Sequence, residues 1–281
     1  MSALKGMRVA ILEARMSGEL ANLLSRRGAE PYCVPAVRES EIDCAGQVSD
    51  LIDKLASRSI EFVIFQTGVG VNALLREAEK LGRLDEVTAC LQNVTTICRG
   101  PKPTSALKRA GIQVSVGVKE PCTTGDLIEA LADLPLSGKG VAVLQYGERN
   151  SALLNALAKQ SAVVEDLCLY EWLLPEDTGA MEALISEIMN GEIDAIAFTS
   201  QIQVRHLYRV AARNWFSQRQ LSDAMNLRAI VAAVGPTCAD ALRAVDVIPD
   251  VVPDHPRMGH MVNALISYVE ERSHKTASLV S

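Results

Sequence analysis

The stretch FVIFQTGVGVNALL (62–75) falls on AIAFTSQIQVRHLY (195–208) when the chain is shifted by 133 positions. Phe65 then meets Phe198, Thr67 meets Ser200 and Val71 meets Val204. The same shift lays GELANLLSRRGAEPYCVPAV (18–37) on SALLNALAKQSAVVEDLCLY (151–170). A shift of 135 lays TTICRGPKPTSALKRAGI (95–112) on IVAAVGPTCADALRAVDV (230–247), and one of 134 lays TGDLIEAL (124–131) on MGHMVNAL (258–265). Four matches in order at a nearly constant offset are a duplication, so the chain must build one structure twice.

Each half alternates short apolar, β-branched runs with stretches of helical periodicity. That pattern predicts βαβ units and parallel sheets. Strands are expected near 8–13, 31–35, 61–66, 94–98 and 113–117, and again near 140–146, 163–170, 193–199, 228–234 and 247–252. Ser17, Asn150 and Pro236 mark helix starts. The polar ERSHKTASLVS (271–281) reads as a frayed tail after the last helix, and Trp172 and Trp215 read as packing residues.

With 281 residues and 48% hydrophobic content the chain can fill two cores. Aromatics make up only 4%, as expected where aliphatic helices cover a parallel sheet. A net charge of −6 without a Lys/Arg cluster argues against a nucleic-acid partner. The opening MSALKGMRVAILEA lacks the features of a signal peptide, and no apolar run reaches membrane-spanning length. Cys33, Cys44, Cys90, Cys98, Cys122, Cys168 and Cys238 form no C-x-x-C pair and read as reduced thiols. His206, His255, His260 and His274 make no zinc pattern with them. The expectation is a soluble cytoplasmic protein without a metal.

Ligands of open parallel sheets bind beyond the carboxyl ends of the strands. Six turns stand there: Glu13-Ala14-Arg15, Thr67-Gly68-Val69-Gly70, Arg99-Gly100-Pro101-Lys102, Gly147-Glu148-Arg149, Thr199-Ser200-Gln201 and Gly235-Pro236-Thr237. The second resembles a dinucleotide fingerprint, but the third glycine is missing: Val71, Asn72 and Ala73 follow Gly70. RGPKPT lacks the spacing of a P-loop, and no nucleophile–base constellation is visible. Hydroxyls, glycines and cations with few general bases suit the gripping of an anion. Each site reading has a plain structural rival. Thr199, Ser200 and Thr237 could cap helices, Arg15, Arg99, Lys102 and Arg149 could be solvated, and Gly100 and Gly235 could serve backbone geometry.

Taken together and in order, these elements resemble the uroporphyrinogen-III synthase family over nearly the whole chain. ILEAR with ELANLLSRRGAEPYCVPAV resembles the family's opening strand, Arg, helix and strand. EFVIFQTGVGV and DAIAFTSQIQV resemble its paired FTS turns, and TICRGPKPTSALKRAGI and VAAVGPTCADAL its paired Val-Gly elements. GVAVLQYGERNSALLNAL followed by LCLYEW resembles its Arg helix and tyrosine strand. The chain departs at Gln66, where Thr is usual, at the Gly-Val-Gly that follows, and at Arg99, where Val is common.

The resemblance implies an α/β fold of two similar parallel-sheet lobes, flavodoxin-like, joined by a two-stranded β hinge with a cleft between them. One lobe would be 1–37 plus 172–270, the other 40–168, with crossings at 38–39 and 169–171 made by PYCVPAV and VVEDLCLYEW. The implied reaction closes hydroxymethylbilane with loss of water and inversion of the last pyrrole ring, without a cofactor. Water leaves to give an azafulvene, a spiro intermediate forms, and the ring flips before closure. Because the substrate supplies nucleophile and electrophile, catalysis would lie mainly in orientation, worth up to about 7–11 kcal/mol.

By resemblance Tyr170 is the candidate acid, its rival being a tyrosine that only packs on the ribbon. The substrate-binding candidates are Arg15, Thr67, Gly68, Gly70, Arg99, Gly100, Lys102, Arg149, Thr199, Ser200, Gly235 and Thr237. The implied partner is the linear tetrapyrrole alone, met by a monomer that touches the preceding pathway enzyme transiently. Two other classes stay open: a ligand-sensing module that keeps the fold without the chemistry, and a hinged sugar- or amino-acid-binding protein.

Overall fold

A computed structural model describes residues 3–147 and 149–280, the side chains of 39, 41 and 274–280 excepted. The chain begins with β1 (Arg8–Ile11), α1 (Ser17–Ser25) and β2 (Glu30–Cys33), then runs through β3 (Arg38–Glu41). Next come α2 (Ala45–Ala56), β4 (Phe62–Phe65), α3 (Gly68–Lys80), α4 (Leu84–Leu91), β5 (Thr95–Cys98) and α5 (Pro101–Arg109). They are followed by β6 (Val116–Gly117), α6 (Thr124–Ala132), β7 (Gly140–Leu144), α7 (Ser151–Lys159) and β8 (Val163–Leu167). After β9 (Tyr170–Leu173) the chain forms α8 (Gly179–Asn190), β10 (Ala195–Phe198) and α9 (Gln201–Arg213). It closes with α10 (Gln218–Arg228), β11 (Ile230–Ala233), α11 (Pro236–Arg243) and α12 (Met258–Val280).

Two compact units result, Met1–Arg38 with Leu173–Ser281, and Glu39–Trp172. The first holds a parallel sheet in the order β11-β10-β1-β2, the second one in the order β6-β5-β4-β7-β8. Ala195 pairs with Val9 where β10 meets β1, and Phe62 pairs with Val141 where β4 meets β7. The repeat is therefore structural, with β11, β10, β1 and β2 corresponding to β5, β4, β7 and β8. This register makes Glu13 the counterpart of Gln145, and Thr199 the counterpart of Gln66.

The central strands are apolar on both faces because both faces are covered. In β4, Val63 and Phe65 join one core while Phe62 and Ile64 join the other. In β10, Ile196 and Phe198 point to one core and Ala195 and Ala197 to its opposite. The alternation follows from the two-residue period of a strand. Helix starts carry their own signals. Thr67 accepts from the Gly70 N–H, Asn150 accepts from the Leu153 N–H, and Thr123 with Asp126 forms a capping box on α6.

Several expectations need correction. The strand expected at 247–252 is reduced to one bridge, Ala232 to Val251, because Pro249 and Pro253 bracket the segment and lack N–H donors. PYCVPAV supplies β2 of the first sheet, and the two-stranded sheet is built from β3 and β9 instead. VVEDLCLYEW is divided, β8 lying in the second sheet and β9 in the pair with β3. The backbone of 271–280 is helical and continuous with α12, where a tail was expected. Trp215 is 95% exposed at a positive φ of 66°, so it is not a packing residue.

Candidate functional site

In the second unit, the turn after β4 carries Gln66 and Thr67 into α3. The Thr67 hydroxyl lies 2.8 Å from the hydroxyl of Tyr170 on β9 and accepts from the Gly70 N–H at 3.0 Å. Tyr170 is only 2% exposed. Its ring meets Trp172 edge-on at 5.3 Å, and the Trp172 indole N–H donates to the Tyr146 carbonyl at 2.6 Å. Gly147 has φ of 86°, and a Cβ there would sit 2.3 Å from Trp172 Cδ1, so only glycine fits the turn after β7. At Gly68 an added Cβ would lie 3.0 Å from the Lys102 carbonyl oxygen at the start of α5, a tight approach. At Gly70 a Cβ would be 3.8 Å from Tyr170 Cε1, ordinary contact.

Arg99 ends β5 beside this group. Its guanidinium carbon stands 5.1 Å from the centre of the Tyr146 ring, within cation–π range. Burial pulls the guanidinium below its ordinary pKa, and nearby Tyr146, Tyr170 and Cys122 offset part of that loss. It stays cationic, as arginine does in proteins. Gly100 follows, with Cys122 Sγ 3.2 Å from where a Cβ would stand. Pro101 and Pro103 occupy the first turn of α5, which removes two of the N–H donors a helix start normally offers.

Beneath the turn runs a ladder of buried amides. Gln66 Nε2 donates to Gln145 Oε1 at 2.8 Å, and Asn150 Nδ2 donates to Gln66 Oε1 at 2.8 Å. Asn150 Nδ2 also reaches Thr124 Oγ1 at 3.1 Å, and the Asn150 N–H donates to Gln145 Oε1 at 3.0 Å. Gln145 Nε2 donates to Asp166 Oδ1, whose other oxygen holds Arg149 Nε at 2.6 Å. The departure at Gln66 is thus an internal one. It links two strand ends and the cap of α7, and it points away from solvent. Arg149 is tied to Asp166 with its side chain 70% exposed, and Glu148 lies outside the described residues.

The first unit arranges its strand ends around Glu13. Oε1 accepts from the Arg15 N–H at 3.1 Å and the Met16 N–H at 3.3 Å. Oε2 accepts from Thr199 Oγ1 and, at 3.2 Å, from Gln203 Nε2. Gln203 Nε2 also donates to Thr199 Oγ1 at 2.8 Å, and Gln203 Oε1 accepts the Thr199 N–H at 2.8 Å. Thr199 has one proton to give, and Glu13 takes it. In this arrangement the Thr199 proton is committed within the protein. Ser200, the N-cap of α9, makes no side-chain cap bond and is half-buried.

Gly235 precedes Pro236 and is closed over by Pro256, whose Cβ would lie 2.7 Å from an added Cβ. Thr237 is half-buried on the first turn of α11. Among the four candidate cations, Arg15, Lys102 and Arg149 are exposed and Arg99 is half-buried. The structure gathers Thr67, Gly68, Gly70, Arg99, Gly100 and Tyr170 at one set of strand ends. It groups Arg15, Thr199 and Ser200 at another, through Glu13 and the start of α9. Sequence reading missed Glu13 as a hub and Tyr146 as the platform of Arg99. The only available signal was position, one or two residues beyond a strand. Among the described residues no group of three His, Cys, Asp or Glu is placed to hold a metal ion, and no helix is long and apolar enough to cross a membrane.

Fold and turns define a duplicated parallel α/β protein whose polar side chains gather at the carboxyl ends of its strands. The family model for uroporphyrinogen-III synthase, HemD, matches residues 18–263. The chain belongs to the uroporphyrinogen-III synthase family. A relative from Bacillus subtilis (strain 168), the uncharacterized protein YjjA, is 35% identical over 269 residues, 96% of this chain and 98% of that one. A solved mutant uroporphyrinogen III synthase from the extremely thermophilic bacterium Thermus thermophilus matches with a TM-score of 0.76 at 28% identity, covering 95% of this chain and 100% of that one. The uroporphyrinogen-III synthetase of Helicobacter pylori 26695 shares the fold at 16% identity and a TM-score of 0.51, over 93% and 99% of the two chains.

Proposed function

We propose that this protein is a uroporphyrinogen-III synthase that cyclises hydroxymethylbilane, with loss of water and inversion of the last pyrrole ring, without a cofactor. Family membership across residues 18–263 is the observation that carries the reading. The chemistry of the strand ends supports it. They offer hydroxyls, backbone N–H groups and one half-buried cation, suited to an anionic ligand that brings its own reacting groups.

In this reading the C–O bond of the hydroxymethyl group breaks as a pyrrole nitrogen pushes electrons toward the leaving carbon. Tyr170 supplies the proton that leaves with the hydroxide as water, and recovers one when the closed ring regains its aromatic pyrroles. The buried phenol communicates through Thr67, whose side chain is half-buried. Ser200 takes a peripheral carboxylate. Holding the chain so that only the inverted closure is reachable is the main catalytic work. The protein acts in the cytoplasm as a monomer and meets the preceding pathway enzyme only transiently.

The low exposure of Tyr170 also favours a second reading, a ligand-sensing module that binds the same tetrapyrrole without turning it over. Supplying hydroxymethylbilane and following its consumption against the spontaneous rate separates the two. Acceleration supports the synthase, and tight binding without acceleration supports the sensor.

A further inference from the structure

We infer that Arg99 is a carboxylate site of this particular chain, a cation kept without a partner in the free protein and paired only by a ligand. The inference rests on the tetrapyrrole reading above and names the group that the ligand must present. Arg99 is half-buried at the end of β5, and among the described residues its guanidinium has no carboxylate and no side-chain hydrogen bond. The Tyr146 ring at 5.1 Å offers its face to the charge but accepts none of the five N–H donors. The guanidinium nitrogens are not sealed from solvent, so water that now meets them can be displaced by a carboxylate in a charge-assisted pair.

The surroundings select the partner. Tyr170, Tyr146 and Cys122 lie close enough to interact with the charge, and none of them is a carboxylate. The two prolines of the first turn of α5 leave the guanidinium as the main donor at this strand end. A planar fork matches a carboxylate through two parallel bonds, a match lysine cannot reproduce. Its counterpart in the duplicated unit, by the shift that aligns β5 with β11, is Val234, so the first unit lacks this cation.

The test uses the full-length protein and two measurements. The first is the thermal midpoint of the ligand-free protein with Arg99→Met, which keeps the volume and removes the unpaired charge. We expect the midpoint to stay within about 2 °C of the wild type. A larger fall would show that Arg99 holds the fold together through Tyr146, and would overturn the proposal. The second is calorimetric titration with uroporphyrin III, an octacarboxylate, at low and high salt. Arg99→Met should bind about 10- to 100-fold more weakly than the wild type, as loss of a charged hydrogen-bonded pair predicts. Arg99→Lys should recover only part of that loss. Equal affinity in the wild type and Arg99→Met overturns this inference alone. No binding by the wild type, together with no acceleration of hydroxymethylbilane closure, overturns the tetrapyrrole reading with it.

Discussion

The hydroxyls of Thr67 and Tyr170 stand 2.8 Å apart, joining the start of α3 to β9. Thr67 serves two partners at once, accepting from the Gly70 N–H while bonding the phenol. A phenol that is 2% exposed thus has its hydroxyl fixed by the cap of a helix. Tyr170→Phe removes one hydroxyl and leaves the ring packed against Trp172. Loss of a general acid costs about 10²- to 10⁴-fold in turnover, whereas loss of one hydrogen bond costs only about 0.5–1.5 kcal/mol of stability. Steady-state kinetics and a melting curve on the same sample check both. An unchanged kcat in a folded Tyr170→Phe protein would remove Tyr170 from the chemistry.

Thr67→Val takes away the cap of α3 and the partner of Tyr170 together. Helix caps of this kind contribute about 0.5–2 kcal/mol. Urea unfolding should show a loss in that range, with turnover falling alongside. A fully stable variant would mean that the Gly70 N–H finds another acceptor.

Thr199 and Ser200 are neighbours with opposite expectations. The Thr199 proton is committed to Glu13, so Thr199→Ala should cost about 1–3 kcal/mol of stability by leaving the carboxylate short of a donor. Ser200→Ala should leave stability within about 0.5 kcal/mol and raise KM instead. The reverse pattern would place the ligand on Thr199.

His206 gives the pH dependence a sign. Its ring is buried, Nδ1 lies 2.7 Å from the Ala36 carbonyl oxygen, and burial holds its pKa below the ordinary 6.5. The unfolded chain therefore binds a proton at a pH where the folded one does not. The stability that follows is fully present above about pH 6.5 and is lost as pH falls through that value toward the folded one. Unfolding curves between pH 5 and 8 should show the decline, and His206→Gln should flatten it. An unaltered slope in that variant would assign the decline to other groups.

How far the sequence could be read depended on how local each feature is. The duplication, the parallel sheets and the apolar strands such as FVIF and AIAF were legible because burial on both faces leaves an unmistakable run. β3, spelled RESE, and β9, spelled YEWL, were not separable from their neighbours, since two short strands paired only with each other need no apolar face. Thr67, Gly68, Arg99 and Tyr170 could be named as candidates. Their grouping could not, because it depends on strand order and on Gly147 yielding space to Trp172. Glu13 was invisible as a hub for the same reason, its partners Thr199 and Gln203 lying far along the chain.

The isomer made from hydroxymethylbilane decides whether this protein is a synthase. The protein, treated with a chelator, is mixed with freshly generated substrate, and the oxidised products are separated chromatographically from those of a protein-free control. Uroporphyrinogen III should dominate while the control gives the I isomer. Products with the isomer composition of the control, from folded protein at saturating substrate, would contradict the synthase reading.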